Sequence, residues 1–319
     1  MKEKFMKDKK LFFTKYFFIL LLLLIYQVKS FSLENKIIFK INNEIITSYD
    51  LENEINYLST LNPNFKKINQ NEKIKFSKKS IVQEKIKKIE IFKNFKNPQL
   101  PDEYLEKLLG NIYTKLGIKN LIDFKTYLKS NNINYNFALS KIETEALWNE
   151  LIFLKFSEKV KIDKNELLKR IKENPNNISK SYLMSEILFE IKENEDIQKK
   201  YQQISDFILN NGFENAALKF SISETAKSGG ELNWINENSL NNKIKKQLSK
   251  IQKNQFSRPI TIPGGFLILK INDIKEKKIE KNIDQELNKL IVETKNNQLN
   301  QFSIMYFNRV KEDLEINEI

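Results

Sequence analysis

The sequence predicts a multidomain, mainly helical protein that carries one small α+β domain toward its C-terminal side. Three observations lead there. Five of the seven glycines (Gly212, Gly229, Gly230, Gly264 and Gly265) fall between Ser181 and Asp273. Glycine goes where the backbone turns sharply or takes φ > 0, so the turn-rich domain lies in that stretch. Elsewhere apolar residues recur at helical spacing. Finally, Glu280 to Leu314 places Ile283, Leu287, Leu290, Ile291, Phe302, Met305, Tyr306 and Val310 along one long amphipathic helix. A domain as small as residues 181–274 cannot bury so long a stripe. The helix must dock outside it.

The chain opens with the three parts of an export signal, Met1 to Ser32. Six lysines from Lys2 to Lys15 precede the apolar run Phe17 to Ile25, and Val28-Lys29-Ser30 offers a cleavage site. The run from Tyr16 to Tyr26 would make a helix of about 16 Å against a hydrocarbon core of about 30 Å. A cleaved signal is therefore expected, with an uncleaved inner-membrane anchor as the alternative. There is no cysteine, so neither disulfide nor lipid attachment is expected.

After the signal, Lys36 to Thr47 reads as a hairpin turning at Asn42-Asn43. Thr47 and Asp50 offer a capping box for a helix with Leu51, Ile55 and Leu58 on one face. A loop is expected from Asn62 to Asn71. A long helix then runs from Glu72 to Phe95, with Ile81, Val82, Ile86, Ile89, Phe92 and Phe95 inward. Pro101 to Leu116 carries a stripe from Tyr104 to Leu116 wide enough to be buried on two sides. A short helix, Leu121 to Lys129, precedes a long one reaching Val160. Asp163 and Glu166 cap a last piece that ends at Asn174-Pro175.

In the glycine-rich stretch, Tyr182 to Ile191 alternates as a strand with Leu183, Ile187, Phe189 and Ile191 on one side. Asp196 to Leu209 is helical and stops at Gly212; Phe213 to Phe220 is a second helix. The Gly229-Gly230 turn leads to a strand, Leu232 to Ile235, then to a helix from Ser239 to Ile251. Arg258 to Ile262 and Phe266 to Asn272 are the last strands.

These residues resemble a known family. The strand opening Ser185-Glu186-Ile187-Leu188-Phe189, the Ser228-Gly229-Gly230-Glu231-Leu232-Asn233-Trp234 turn and the closing Pro259 to Ile274 segment are similar to the parvulin-type peptidyl-prolyl isomerase domain. The resemblance places the two family histidines on Glu186 and Leu267 and the Cys or Asp position on Ser223. It maps the apolar wall that receives the proline ring to Leu232, Leu240 and Ile244, with Phe266 adjacent. The chain contains no histidine at all. Rotation about an X-Pro bond crosses a barrier of roughly 18–20 kcal/mol, lowered by desolvating and hydrogen-bonding the twisted amide. A leucine offers no hydrogen bond, so weak or absent isomerase activity is expected, and Glu186 is expected as a solvated strand residue.

A wider resemblance covers Glu34 to about Leu314. The export signal, the Ile37 to Asp50 hairpin running into a helix, the Asn132 to Ile142 block, the parvulin-like stretch and the C-terminal helix follow the layout of the SurA family of periplasmic chaperones. SurA proteins commonly carry two parvulin domains; this chain has room for one. The resemblance implies a signal peptide at 1–30 and a discontinuous helical domain, residues 34–178 plus 279–319. The parvulin-like domain, 181–274, is inserted within it. It further implies a monomeric periplasmic holdase for unfolded outer-membrane proteins and aromatic-rich peptides. Lysine is interleaved with Glu and Asp, the pattern of solvated helix faces rather than of a nucleic-acid track. Of the formal charge of +13, residues 1–30 supply +5, leaving +8. No phosphate-binding glycine loop and no metal-ligand cluster stands in the sequence, so no cofactor, metal or nucleic-acid partner is expected, nor stable membrane insertion.

Overall fold

The computed structural model describes residues 35–172, 178–191, 194–278 and 283–319. The export-signal reading, the Asn174-Pro175 helix stop and the Glu280 start of the last helix lie outside them. Residues 37–319 form one unit, within which all contacts below are made.

The first element is the hairpin, β1 (Ile37–Ile41) and β2 (Glu44–Thr47), antiparallel. Asn42 turns it at φ 49°, a left-handed conformation that asparagine tolerates. The capping box is formed. Asp50 N donates to Thr47 Oγ1 at 3.3 Å and Thr47 N donates to Asp50 Oδ2 at 2.8 Å, starting α1 (Ser48–Leu61). The expected loop after it contains a short helix, α2 (Pro63–Lys67). Asn62 Oδ1 accepts from Asn64 N and Phe65 N, and a proline at the first helical position needs no partner for its missing N–H.

Helices α3 (Gln70–Asn94), α4 (Asp102–Lys115), α5 (Leu121–Ser130), α6 (Tyr135–Phe156) and α7 (Lys164–Lys172) follow. Two expectations about them are corrected. Phe92 is 65% exposed, and Ile91 is the buried residue of that turn, packed with Trp148, Leu151 and Ile152 of α6. Over a 25-residue helix the buried face changes as the neighbours change, so a single stripe extrapolated from Ile81 goes out of phase. On α4 only Leu109 is fully buried and Tyr104 is exposed; the rest of the stripe is half-buried in a cluster with residues of α1, α5 and α6.

The α+β segment holds a four-stranded antiparallel sheet in the order β4-β3-β6-β5: β3 (Ile178–Phe189), β4 (Glu231–Asn236), β5 (Ile260–Ile262) and β6 (Gly265–Lys278). Helices α8 (Ile197–Asn211) and α9 (Phe213–Phe220) cover the face bearing Ile187, Phe189 and Ile268. The other face, with Tyr182, Met184, Leu188, Leu267 and Leu269, packs on Leu240 and on α10 (Asn242–Leu248). Strand β3 is thus buried on both faces, whereas alternation alone showed one.

The last helix, α11 (Ile283–Glu312), packs against α3, α6 and α7. Trp148 of α6 is fully buried there: its indole Nε1 donates to Ser303 Oγ at 2.8 Å, and its ring stacks on Tyr306 at 5.7 Å between centroids. Beyond α11, β7 (Ile316–Glu318) pairs with β1, completing a sheet of order β2-β1-β7. Among the described residues no helix is long and apolar enough to cross a membrane.

Replacing a fully buried tryptophan leaves both a cavity and an unpartnered Ser303 hydroxyl. Trp148→Ala should cost about 3–5 kcal/mol, with Trp148→Phe intermediate, measured as a shift of the urea unfolding midpoint. A loss under about 1 kcal/mol would show that α11 is not held through this ring.

Candidate functional site

Glu186 stands in the middle of β3, flanked by paired strands on both sides. Opposite it in β6 is Leu269, and its own N–H donates to Gly230 O at 2.8 Å. Strand alternation turns its side chain toward the Tyr182, Met184 and Leu188 face. There Glu186 Oε1 accepts from Ser223 Oγ at 2.5 Å and from Thr225 Oγ1 at 2.9 Å. Glu186 is 8% exposed and Ser223 5%.

This corrects the expectation of a solvated strand residue: the carboxyl is enclosed and its polar partners are hydroxyls. Those hydroxyls are placed by the segment after α9. Ser221 Oγ accepts from Leu188 N at 3.1 Å and from Ser223 N at 3.2 Å, while Ile222 N donates to Leu188 O. The chain is thereby stitched along β3 before it enters the 3-10 turn Glu224–Ser228. Gly230 closes that turn at φ 79°, and a Cβ there would lie 2.2 Å from Glu186 O. Only glycine lets the turn approach the strand so closely.

Burial pushes the Glu186 carboxyl above its usual range, and the hydrogen bonds from Ser223 and Thr225 offset only part of that. A neutral Glu186 donates one hydrogen bond; an ionised one only accepts.

Leu267 lies on β6 opposite Leu188, on the same sheet face as Glu186, and is 6% exposed. Leu240 is buried in the same cluster, with Leu232 and Ile244 half-buried against it. Phe266 does not join them. It is one residue out of step with Leu267, so it points to the opposite face and stacks on Phe189 at 5.8 Å between centroids. Of the four residues, Leu232, Leu240 and Ile244 pack in one cluster and Phe266 in the other.

Sequence reasoning missed Thr225, Ser221 and Gly230 as the frame of the carboxyl. Thr225 was findable, since a hydroxyl two residues after Ser223 is a common turn pairing. It also missed what lies over the site. Arg170 of α7 donates through Nη1 to Asn238 O and Leu240 O, each at 3.1 Å, and Ile304 of α11 packs against the Leu240 cluster. No local pattern in the sequence announces contacts across so many residues.

Residues 185–273, which hold this strand–helix–helix–strand–helix–strand–strand order, match the PPIC-type PPIase (rotamase) domain. This segment is a PPIC-type parvulin domain. The chain also has homologues among SurA chaperones. It is 26% identical to chaperone SurA of Pseudomonas putida over 184 residues, 55% of this chain and 43% of that protein. Against chaperone SurA of Pectobacterium atrosepticum it is 27% identical over 188 residues, 56% and 43%. The match thus spans less than half the length of these curated relatives. A solved SurA-like chaperone of Campylobacter jejuni is 18% identical, covering 89% of this chain and 99% of that one at a TM-score of 0.35.

Two outcomes check the site. Because the folded-state pKa of Glu186 is raised, its favourable contribution is fully present below the unfolded carboxyl value of about 4.3 and is lost as pH rises through the folded value. Glu186→Gln should therefore melt above the parent protein near pH 8 and level with it near pH 4. An equal shift at both pH values would mean that the carboxyl is not enclosed. Gly230→Ala should destabilise by more than about 2 kcal/mol in chemical unfolding, through the φ requirement and the clash with Glu186 O; a neutral effect would mean that the turn stands off from β3.

Proposed function

We propose that the protein is a SurA-type periplasmic holdase that keeps unfolded outer-membrane proteins from aggregating. Its parvulin domain acts as a peptide-binding or autoinhibitory module rather than as a strong isomerase. The reading extends to the architecture. After removal of a signal at residues 1–30, the helical elements of 34–178 and 279–319 make one discontinuous domain and 181–274 is inserted in it. The chain works as a monomer, without cofactor, on aromatic-rich extended segments.

The observation that carries this reading is the state of the parvulin face. At the positions that the family resemblance gives to histidine stand Glu186 and Leu267, 8% and 6% exposed, in a chain with no histidine anywhere. The site offers no imidazole, and the carbonyl of Leu240 is held by Arg170. SurA homology supports the chaperone side of the reading.

A second reading, an active prolyl isomerase assisting the same clients, has one observation in its favour. The raised pKa of Glu186 keeps a fraction of the carboxyl neutral, and a neutral carboxyl flanked by Ser223 and Thr225 is a hydrogen-bond donor of the kind that a twisted amide needs.

The two separate cleanly. A holdase suppresses aggregation of an unfolded client in proportion to its stoichiometry, with no faster isomerisation of a short X-Pro peptide; Glu186→His with Leu267→His is the comparison variant. Acceleration at substoichiometric amounts by the natural chain, reduced by Leu240→Ala or Ile244→Ala, would transfer the function to the enzyme reading.

A further inference from the structure

The molecule has a cavity of about 740 Å³ walled by α3, α11, β1 and the Glu190 and Ile222 edge of the parvulin domain, and Ile222 also packs against the Leu240 cluster. Its volume falls in the range of ligand-binding clefts, about 300–1,000 Å³. Its floor is apolar: Ile74, Val82 and Ile86 of α3, with Phe39, Ile222 and Phe307 around them.

Its rim is cationic. Lys75, Lys78, Lys79 and Lys311 face it against Glu190 and Glu318. Both acids are already engaged, Glu318 with Lys78 at 2.6 Å and Glu190 with Asn308. Among the described residues Lys75, Lys79 and Lys311 form no ion pair; Lys79 donates to the carbonyl of Ser221, and Lys75 and Lys311 are exposed. The contrast with a second cavity, of about 320 Å³, is informative. There Glu54, Glu84 and Glu145 face Lys141 and Lys227, so acids outnumber bases. With four lysines against Glu190 and Glu318, the first cavity keeps a net positive charge beside its apolar lining.

From this we infer that the groove between α3 and α11 is a binding site for an extended peptide segment in which aromatic or aliphatic side chains alternate with acidic ones. The inference rests on the holdase reading and gives it a place and a charge preference. Length argues for an extended internal segment. The α3 residues that line the groove run from Asn71 to Ile86, about 22 Å at 1.5 Å per residue, which an extended chain covers in about six or seven residues. Alternation puts apolar side chains on the floor and carboxylates toward the lysine rim. A lysine-rich segment meets the opposite field.

Lys79 adds a pH signature. Burial, then repulsion from Lys311, lowers its pKa to about 8, partly offset by Glu190 and Glu224; Lys75 and Lys78 are the other cations of its helix that line the cavity, and Glu318 is the other acid there. Its charge is present below that value and fades above it.

The test uses the mature chain and three labelled octapeptides with the same aromatic residues, carrying Glu, Gln or Lys at the intervening positions, read by fluorescence anisotropy. The Glu peptide should bind tightest, at least tenfold tighter than the Lys peptide, and its affinity should weaken as pH rises through about 8. Lys75→Glu with Lys311→Glu, both exposed and so not required for folding, should reverse the order of the Glu and Lys peptides. Equal binding of the Gln and Glu peptides, or no effect of the double reversal, overturns the inference; if the natural chain still suppresses client aggregation, the holdase reading stands without it. Selective binding of the Glu peptide together with no suppression of aggregation would support the groove and remove the holdase reading.

Discussion

One lysine drawn out of water, Lys87, and a half-buried one, Lys227, hold the parvulin domain to the helices. Lys87 of α3 is 1% exposed and ion-paired with Glu145 of α6 at 2.7 Å and with Glu224 of the 3-10 turn; Lys227 of the same turn reaches Glu145 at 2.8 Å. Burial pushes the Glu145 carboxyl up, but Lys227 and Lys87 outweigh it and hold it well below the usual range. Glu224 is pushed up, by burial and then by Glu145. Removing an acid from this cluster costs most at Lys87, which has no water to turn to, whereas Glu145, Glu224 and Lys227 stay partly solvated. The joint also reaches into the site, because Glu224 stands between Ser223 and Thr225, the two hydroxyls that hold Glu186. Whatever loosens the charge cluster loosens the frame of the carboxyl.

Other contacts arrive at the same domain from other sides. Arg170 holds the carbonyls of Asn238 and Leu240, and Glu286 and Glu293 of α11 accept from Asn236 at 2.8 and 3.3 Å. Lys219 pairs with Glu72 and Asn64 with Glu214. Most are polar, and several are exposed and hence screened by salt. The contact also has an apolar share: Ile304 against the Leu240 cluster, and Leu218 and Ala226 buried together with Leu58, Phe65 and Phe76.

Much of the fold was legible because short-range chemistry dictates it. Asn42 turns the hairpin, Thr47 and Asp50 cap α1, Asp163 Oδ1 accepts from Glu166 N to start α7, and Gly212 ends α8 as a C-cap at φ 86°. What failed depended on neighbours that the local sequence does not name. Alternation in β3 looks the same whether one face is covered or two, so Glu186 read as solvated. A helical stripe drifts, so Phe92 took the place that Ile91 fills. Phe266 and Leu267 are adjacent letters but opposite faces, and the assignment of the pocket wall turned on that single step. In the site, Ser223 and Leu240 could be placed by resemblance, whereas Arg170 and Ile304 approach from segments with no pattern pointing to them. The three residues of β7 are too few to carry a periodicity.

That last strand has a consequence in time. β1 finds its second neighbour in residues 316–318, with Ile41 opposite Ile316, about 275 positions later in the chain. A ribosome adds roughly 5–20 residues per second, so the first hairpin waits tens of seconds with one edge open. An open edge of that kind is a template for pairing with other chains. Until residues 316–318 are made, the hairpin depends on its neighbours in the chain to keep that edge from other strands.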